Sequence, residues 1–390
     1  MDDSARIEPP DVSPLFTPFN IRGLTIPNRF VLPGMQRQWC EDGRPLPKLG
    51  DYYRRRVLGG VGLVITESCA VDHTSSTQNP MFTRMNDQTV DDWAVCVDAV
   101  KDVGGKMLMQ LWHEGAIRPE GGEGAHAKYP TLSPSGLAHA GKANGRAATL
   151  QELDDIKSAF VRSSILAKQI GLDGVEVHAA HGYLLDQFLW EETNQRDDGY
   201  GGPDPRQRAR FPAEIVAAIR QAVGPDFVIG IRFSQWKEVN YDARIAPTPA
   251  DLAIMVSVLE AAGVDVFHAS ARRFWTPEWD HSDFGIAGHT KALSRVPVIA
   301  VGSVGLDVDV MENFFGKEAQ ATGEAGIREL VHRFKRGDFD LISVGRGQIG
   351  DADWVNKVRD GRLSDIKIFT RQDLMGDVEF EGIVAEAHGH

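Results

Sequence analysis

Residues 149–183 read TLQELDDIKSAFVRSSILAKQIGLDGVEVHAAHGY, and this stretch predicts one helix followed by one strand. Thr149 is a favourable residue before the first turn of a helix, Glu152 stands in that turn, and Gly171 is a favourable end. The run Gly174–His178 that follows is short and rich in valine, as expected of a buried strand. The stretch therefore predicts a helix that packs beside a strand covered on both faces.

The same alternation recurs along the chain, and Thr248–Gly263 repeats the helix start and stop signals. Eight strands that each precede a helix are typical of a closed barrel more than of an open sheet. We therefore predict an α/β fold, a (β/α)8 TIM barrel, as one domain over residues 1–376, with a flexible C-terminal tail over residues 377–390. The predicted strands are Arg29–Pro33, Gly62–Thr66, Lys106–Leu111, Gly174–His178, Phe227–Arg232, Val264–His268, Val296–Val301 and Asp340–Val344.

Three loops are longer than a connection to the next helix requires: Asp72–Thr89, Glu114–Ala148 and Ser270–Gly288. Each follows a strand, so in a barrel they gather at the C-terminal rim, where these folds place their chemistry. The last of them carries Phe274, Trp275 and Trp279, which is compatible with a bulky apolar or aromatic ligand.

Composition excludes several classes of protein. The formal net charge of −13 disfavours binding to nucleic acid or to an anionic membrane surface. The three cysteines, Cys40, Cys69 and Cys96, have no CxxC spacing, which excludes a disulfide framework and a cysteine-held cluster. With no apolar signal core at the N-terminus and no stretch that could span a bilayer, we expect a cytoplasmic protein that acts on a small-molecule substrate. The sequence is also compatible with a homo-oligomer.

The strongest local signal is His178-Ala179-Ala180-His181-Gly182-Tyr183, at the end of the fourth predicted strand. Two imidazoles could polarise a carbonyl through their N–H groups while the phenol supplies a proton. Structural histidines and a metal pair are the alternatives. The spacing matches neither the i, i+4 zinc pair on a helix nor the His-x-His pair of barrel hydrolases.

Six motifs in order carry a resemblance to a known family. HAAHGYLLDQFL, followed by NQRDDGYGG and RARF, closely resembles the old yellow enzyme family of FMN-dependent ene-reductases, which are NADH:flavin oxidoreductases. LFTPFNIRGLTIPNRFVLPGM resembles its opening strand, QLWHEG its third, VIGIRFS its fifth, VPVIAVGS its seventh and DLISVGRG its eighth. The resemblance runs from Leu15 to about Arg371 and implies an FMN-binding barrel.

The loops after strands seven and eight of a barrel commonly bind phosphate, and here they carry Gly302, Ser303, Gly345 and Arg346. The resemblance implies non-covalent FMN, with NADH or NADPH as the reductant. It places Gln110 and Arg232 at the pyrimidine edge of the flavin, where an amide and a cation suit the ring. It also implies that the ring is lined by Pro33, Gly34, Met35, Gln36 and Ser68. Gln36 stands where relatives carry Thr or Cys, so we expect it to alter the flavin potential.

The resemblance also implies the catalytic roles. His178 and His181 would hold the activating group of the substrate, the flavin N5 would give hydride to the β-carbon, and Tyr183 would protonate the α-carbon. The predicted function is an NAD(P)H-dependent FMN oxidoreductase that reduces activated C=C bonds. A metal-dependent barrel hydrolase, a flavoprotein acting on another substrate class and a flavin-binding protein without turnover remain the alternatives.

Overall fold

A computed structural model describes residues 8–121 and 125–374. Eight strands pair in parallel around a closed barrel, each beside the next in the chain, with the eighth against the first. The predicted (β/α)8 fold is therefore confirmed, while the predicted tail over 377–390 lies outside the described residues. The barrel strands are β1 Phe30–Leu32, β2 Leu63–Ala70, β3 Met107–Trp112, β4 Gly174–His181, β5 Val228–Lys237, β6 Val266–Ser270, β7 Val298–Val301 and β8 Leu341–Ser343.

Helices connect the strands on the outside of the barrel. The predicted helix after Thr149 begins with a capping box, in which Thr149 and Glu152 satisfy each other's backbone N–H groups, and Thr248 and Asp251 repeat it. The helices are α1 Pro47–Leu58, α2 Val90–Lys101, α3 Leu150–Gln169, α4 Leu184–Leu189, α5 Pro205–Arg208, α6 Arg210–Val223, α7 Pro249–Ala261, α8 Ile286–Leu293, α9 Val310–Phe314, α10 Gly323–Arg336, α11 Arg346–Gly350 and α12 Trp354–Arg359. Within the described ranges, no helix is both long enough and apolar enough to cross a membrane.

Five strands, β2 to β6, extend beyond their predicted ends, and the extensions of β4 and β5 bear most on the cavity. β4 continues to His181 instead of ending at His178, and β5 continues to Lys237 instead of Arg232. A register shift between Ala179 and His181 keeps the two strands paired, with His181 opposite Lys237. Polar residues made the sequence patterns end early, but at the rim of a barrel polar side chains can turn into the mouth while the backbone still pairs. The extension places more of β5 beside the site than the sequence indicated.

The bottom of the barrel is closed by a hairpin near the N-terminus, formed by strands Phe19–Ile21 and Leu24–Ile26. Ile21 and Ile26 are fully buried and belong to the same apolar cluster as Leu63, Ile65 and their counterparts on other strands. Because this end is filled with apolar side chains, the opposite, C-terminal end is the one left for polar groups.

Gly174 begins β4 at a point where the barrel is too tight for a side chain. A Cβ built there would lie 2.3 Å from the Val228 carbonyl oxygen and 2.7 Å from the Val228 Cβ. We predict that Gly174→Ala lowers the free energy of unfolding by about 1–3 kcal/mol, measured by urea denaturation, because backbone would have to move. Gly230→Ala is the matched control, since its nearest atom is a side-chain methyl at 3.2 Å. Equal losses in both variants would contradict the steric explanation.

Candidate active site

A cavity of 390 Å³ opens at the C-terminal rim of the barrel. Every residue that the sequence predicted to bind cofactor or substrate lines it. These are Pro33, Gly34, Met35, Gln36, Ser68, Gln110, His178, His181, Tyr183, Arg232, Gly302, Ser303, Gly345 and Arg346. They come from seven of the eight strands or the loops after them, which shows that barrel closure brings distant parts of the chain to one place.

The three predicted catalytic side chains form one wall of the cavity. The ring of His178 lies 5.3 Å from that of His181 and 5.4 Å from that of Tyr183. His181 and Gly182 both have left-handed backbone, with φ of +65° and +93°, and this turn directs the two imidazoles to the same side. The His181 Nε2 lies 2.9 Å from the Ser270 hydroxyl, which also accepts a hydrogen bond from Arg232.

A buried ion pair supports this turn from beneath. The Gly182 N–H donates to Asp186 Oδ2 at 2.5 Å, and Lys237 Nζ lies 2.9 Å from Asp186 Oδ1. Both charged side chains are fully buried. The Lys237 ammonium also donates to the backbone oxygens of Ser234 and Gln235, so its protons have partners without water. The left-handed turn is therefore braced by groups that touch no ligand.

Burial sets the protonation of the wall. It lowers the pKa of His178 to about 3, with the Arg232 charge adding to the shift, and lowers the pKa of His181 well below its usual value. Burial raises the pKa of Tyr183, as do the nearby carboxylates of Glu238 and Glu114. At neutral pH the imidazoles are uncharged and the phenol keeps its proton, so each of the three side chains carries a proton that it can donate.

The floor of the cavity carries groups that suit a flavin ring. The Ser68 hydroxyl donates to Gln110 Oε1 at 2.5 Å, and Gln110 Nε2 donates to the buried Glu176 at 2.7 Å. The Arg232 guanidinium is buried and its Nε has no hydrogen-bond partner among the described residues. A pyrimidine edge presents an acceptor beside a ring N–H, which an arginine N–H and the Gln110 amide oxygen can match. The donor set therefore fits FMN.

The opposite end of the cavity suits a phosphate. Gly302 has φ of +143°, and a Cβ built there would lie 2.6 Å from the Ala271 carbonyl oxygen, so only glycine fits. Arg346 donates to the Ser303 hydroxyl at 3.1 Å and to the carbonyl oxygens of Asp309 and Val308. Burial lowers its pKa to about 10, which leaves the guanidinium charged at neutral pH.

Gln36 lines the cavity, and its amide makes one hydrogen bond within the protein. Its Nε2 donates to the Ser68 carbonyl oxygen at 2.8 Å, whereas its Oε1 is buried without a hydrogen-bond partner among the described residues. The Thr or Cys that relatives carry would offer an O–H or S–H donor instead. The proposed effect of Gln36 on the flavin potential thus rests on the replacement of that hydroxyl or thiol by an amide.

Several lining residues were missed by the sequence patterns, chiefly Trp236, Glu238, Ser270 and Arg272. The Trp236 ring lies 4.7 Å from that of His181, and Glu238 faces Tyr183. Extending the predicted fifth strand by four residues beyond Arg232 would have included Trp236. The carboxyl of Glu238 carries no sequence signal, since it stands in the loop after β5.

The aromatic residues of the loop after β6 are absent from the cavity lining. Phe274 packs edge-on against Trp275 and Phe339, while the Trp279 indole N–H donates to the Pro247 carbonyl oxygen. They stabilise the loop, so they give no information about a ligand. Across residues 8–121 and 125–374 there is also no group of three or more His, Cys, Asp or Glu side chains placed to hold a metal ion.

Comparisons with known proteins agree with this geometry. The family profile described as NADH:flavin oxidoreductase / NADH oxidase matches residues 14–365. The chain is 34% identical over 364 residues to an NADH oxidase of Thermoanaerobacter brockii, covering 90% of this chain but only 52% of that protein, so it spans about half that relative's length. It is 29% identical over 369 residues to 12-oxophytodienoate reductase 7 of Oryza sativa subsp. japonica, covering 89% and 88% of the two chains.

Solved structures resemble it along most of the chain. Morphinone reductase in complex with tetrahydroNAD is 25% identical, with a TM-score of 0.74 over 92% of this chain and 93% of that one. An old yellow enzyme homologue from Zymomonas mobilis shares the fold, with a TM-score of 0.75 at 21% identity over 92% and 96% of the chains.

The neutral, buried state of His178 makes the stability of the protein sensitive to acid. The unfolded chain binds a proton on this residue near its ordinary pKa of 6.5, while the folded protein resists protonation until about 3. The stability that the neutral His178 contributes is therefore fully present above pH 6.5 and is lost as the pH decreases toward 3. We predict that His178→Asn reduces the stability lost between pH 7 and pH 5 by about 2 kcal/mol, measured by urea denaturation. The exposed His332→Asn is the control, and an unchanged acid loss in His178→Asn would show that His178 is protonated in the folded state.

Proposed function

We propose a substrate class for this chain, which belongs to the NADH:flavin oxidoreductase / NADH oxidase family and is an NAD(P)H-dependent FMN oxidoreductase. Its substrates are carbon–carbon double bonds activated by a carbonyl or similar group. The observation that carries this proposal is the wall on which two uncharged imidazoles and one protonated phenol face the same cavity. Membership of an oxidoreductase family also replaces the metal-dependent hydrolase that the histidine pair left open.

FMN, when bound, supplies the two-electron redox chemistry of the reaction. We propose that Gly302, Ser303, Gly345 and Arg346 hold its phosphate, with Gln110 and Arg232 at the pyrimidine edge. The remaining ring contacts fall to Pro33, Gly34, Met35, Gln36 and Ser68. The left-handed glycine and the charged arginine at one end, and the matched donors and acceptors at the other, support this orientation.

His178 and His181 hold the carbonyl oxygen of the substrate through N–H donors. The Ser270 hydroxyl accepts from Arg232 and can donate its own proton to His181 Nε2, and in that tautomer the His181 ring proton lies on Nδ1. Neutral donors in a buried wall stabilise negative charge that develops on the oxygen without first having to lose a proton. One well-placed donor of this kind is worth roughly 3 kcal/mol in the transition state.

Tyr183 supplies the proton that the α-carbon gains. Its raised pKa keeps the phenol protonated across the neutral range, and its ring lies beside His178, so donor and oxyanion holder share one wall. Trp112 packs edge-on against the phenol at 5.2 Å and restricts its rotation. The wall can thus hold the activating group and protonate the neighbouring carbon in the same complex.

Binding of FMN tests the cofactor assignment. We predict that the protein purifies with non-covalent FMN and that Arg346→Ala weakens FMN binding by about tenfold to a hundredfold, since charge-assisted bonds to the phosphate are lost. Fluorescence titration of the apoprotein measures this. Arg273→Ala is the control, because Arg273 belongs to the same cluster but bonds to Asp309 and Glu312 outside the cavity lining. Unchanged affinity in Arg346→Ala would remove it from the phosphate site.

Replacement of Tyr183 tests the proton donor. We predict that Tyr183→Phe slows reduction of an enone such as cyclohexenone by about 10²-fold, because only the hydroxyl is removed. The rate at which NADH or NADPH bleaches the flavin absorbance, measured by stopped flow, should stay within about twofold of wild type. This step needs no proton from the phenol.

Tyr241→Phe serves as the control, because Tyr241 does not line the cavity. If Tyr183→Phe slows bleaching and enone reduction equally, Tyr183 has a structural role. If the wild type bleaches with nicotinamide but reduces no enone, the proposed substrate class is wrong.

A further inference from the structure

Glu176 is a buried carboxylate directly beneath the cavity. It stands on β4 two residues before His178, is 1% exposed and does not line the cavity itself. Its Oε1 accepts from Gln110 Nε2 at 2.7 Å, and its Oε2 lies 2.7 Å from His268 Nδ1. Each oxygen therefore has one close partner, on β3 and on β6, and the carboxylate joins strands on both sides of Arg232.

The chemistry of this carboxylate decides which way the Gln110 amide points. An ionised carboxylate can only accept, so the amide must turn its NH₂ group toward Glu176. Its carbonyl oxygen then faces the other way, where it accepts from the Ser68 hydroxyl at 2.5 Å. The Glu176 charge thus specifies an acceptor, not a donor, at the cavity end of the amide.

The same charge compensates Arg232. Burial favours the neutral acid, but the interaction with His268, the Arg232 charge and the hydrogen bond from Gln110 outweigh it, so the pKa of Glu176 lies below its usual value. Burial lowers the pKa of Arg232, and the Glu176 charge is the largest of those that oppose this shift. A cation and an anion are therefore held together at the floor, where neither would be stable alone.

We propose that Glu176 is a positioning residue that fixes the hydrogen-bonding polarity of the cavity floor. Through Gln110 it makes the floor accept a hydrogen bond from a ring N–H, and through Arg232 it limits how strongly the floor favours an anion. The inference rests on the proposed binding of FMN, whose pyrimidine ring carries such an N–H at N3. It predicts that Glu176 keeps N3 protonated without touching the ring.

The decisive variant is Glu176→Gln, which has nearly the same shape. A neutral amide can both donate and accept, so Gln110 is free to reverse, and the Arg232 charge loses its partner. Both effects favour an N3 anion. We expect the N3 proton of bound, oxidised FMN to dissociate at a pH at least about one unit lower than in wild type, which is about a tenfold shift in that equilibrium. Absorbance titration of the holoprotein measures it, and FMN binding should weaken about tenfold.

A second variant separates geometry from charge. Glu176→Asp keeps the negative charge but withdraws it by one methylene from Gln110. We expect weaker FMN binding with a midpoint potential close to wild type, whereas Glu176→Gln should raise the potential because an uncompensated cation favours the reduced ring. Glu176→Asp also keeps the proposal testable if Glu176→Gln does not fold.

Action through Gln110 can be measured by a double-mutant cycle. In a Gln110→Leu background, Glu176→Gln should change FMN affinity by clearly less than it does in the wild type, because only the effect through Arg232 remains. Full additivity would overturn the positioning role. Glu278→Gln controls for loss of a largely buried carboxyl, since Glu278 pairs with Arg244 and does not line the cavity.

The outcomes distinguish a failure of the proposed function from a failure of the proposed role of Glu176. A wild-type protein that does not bind FMN would overturn the proposed function. If the wild type binds FMN while Glu176→Gln leaves affinity, N3 dissociation and potential unchanged, the proposed function stands and only the role of Glu176 is wrong.

Discussion

The structure depends on the closure of eight parallel strands into one barrel. Closure buries every strand on both faces, so polar side chains are tolerated inside only where they find partners or meet a cavity. The bottom is filled by aliphatic residues and sealed by the N-terminal hairpin that includes Ile21 and Ile26. Chemistry is therefore confined to the C-terminal mouth, and the residues that line it arrive there by strand register and not by sequence proximity.

Charge compensation governs how the mouth is built. Arg232 has Glu176, Lys237 has Asp186, and Asp309 has the two arginines of the loop after β6. Removal of either member of such a pair leaves a buried charge without a partner, which is costly. These pairs also fix local geometry. The Lys237–Asp186 pair supports the left-handed turn at His181, and Glu176 sets the direction of the Gln110 amide.

The catalytic wall illustrates the opposite use of burial. Among the described residues no carboxylate is hydrogen-bonded to the imidazoles of His178 and His181, and burial keeps both rings neutral. His268, on a neighbouring strand, does contact a carboxylate, and its role is to hold Glu176. The same side-chain type thus serves two purposes, and the difference lies in the partner and not in the distance from solvent.

The sequence alone determined the order of strands and helices, because hydrophobic periodicity, helix caps and glycine positions are local properties. Through its resemblance to a known flavoprotein family, the sequence also identified many of the residues that line the cavity. It could not show that β5 continues to Lys237, that the Gln36 amide donates to the Ser68 carbonyl oxygen, or that Glu238 faces Tyr183. Those facts depend on which atoms meet across strands far apart in the chain. Only closure of the barrel decides such contacts, because register and side-chain direction fix every hydrogen-bond partner at the mouth.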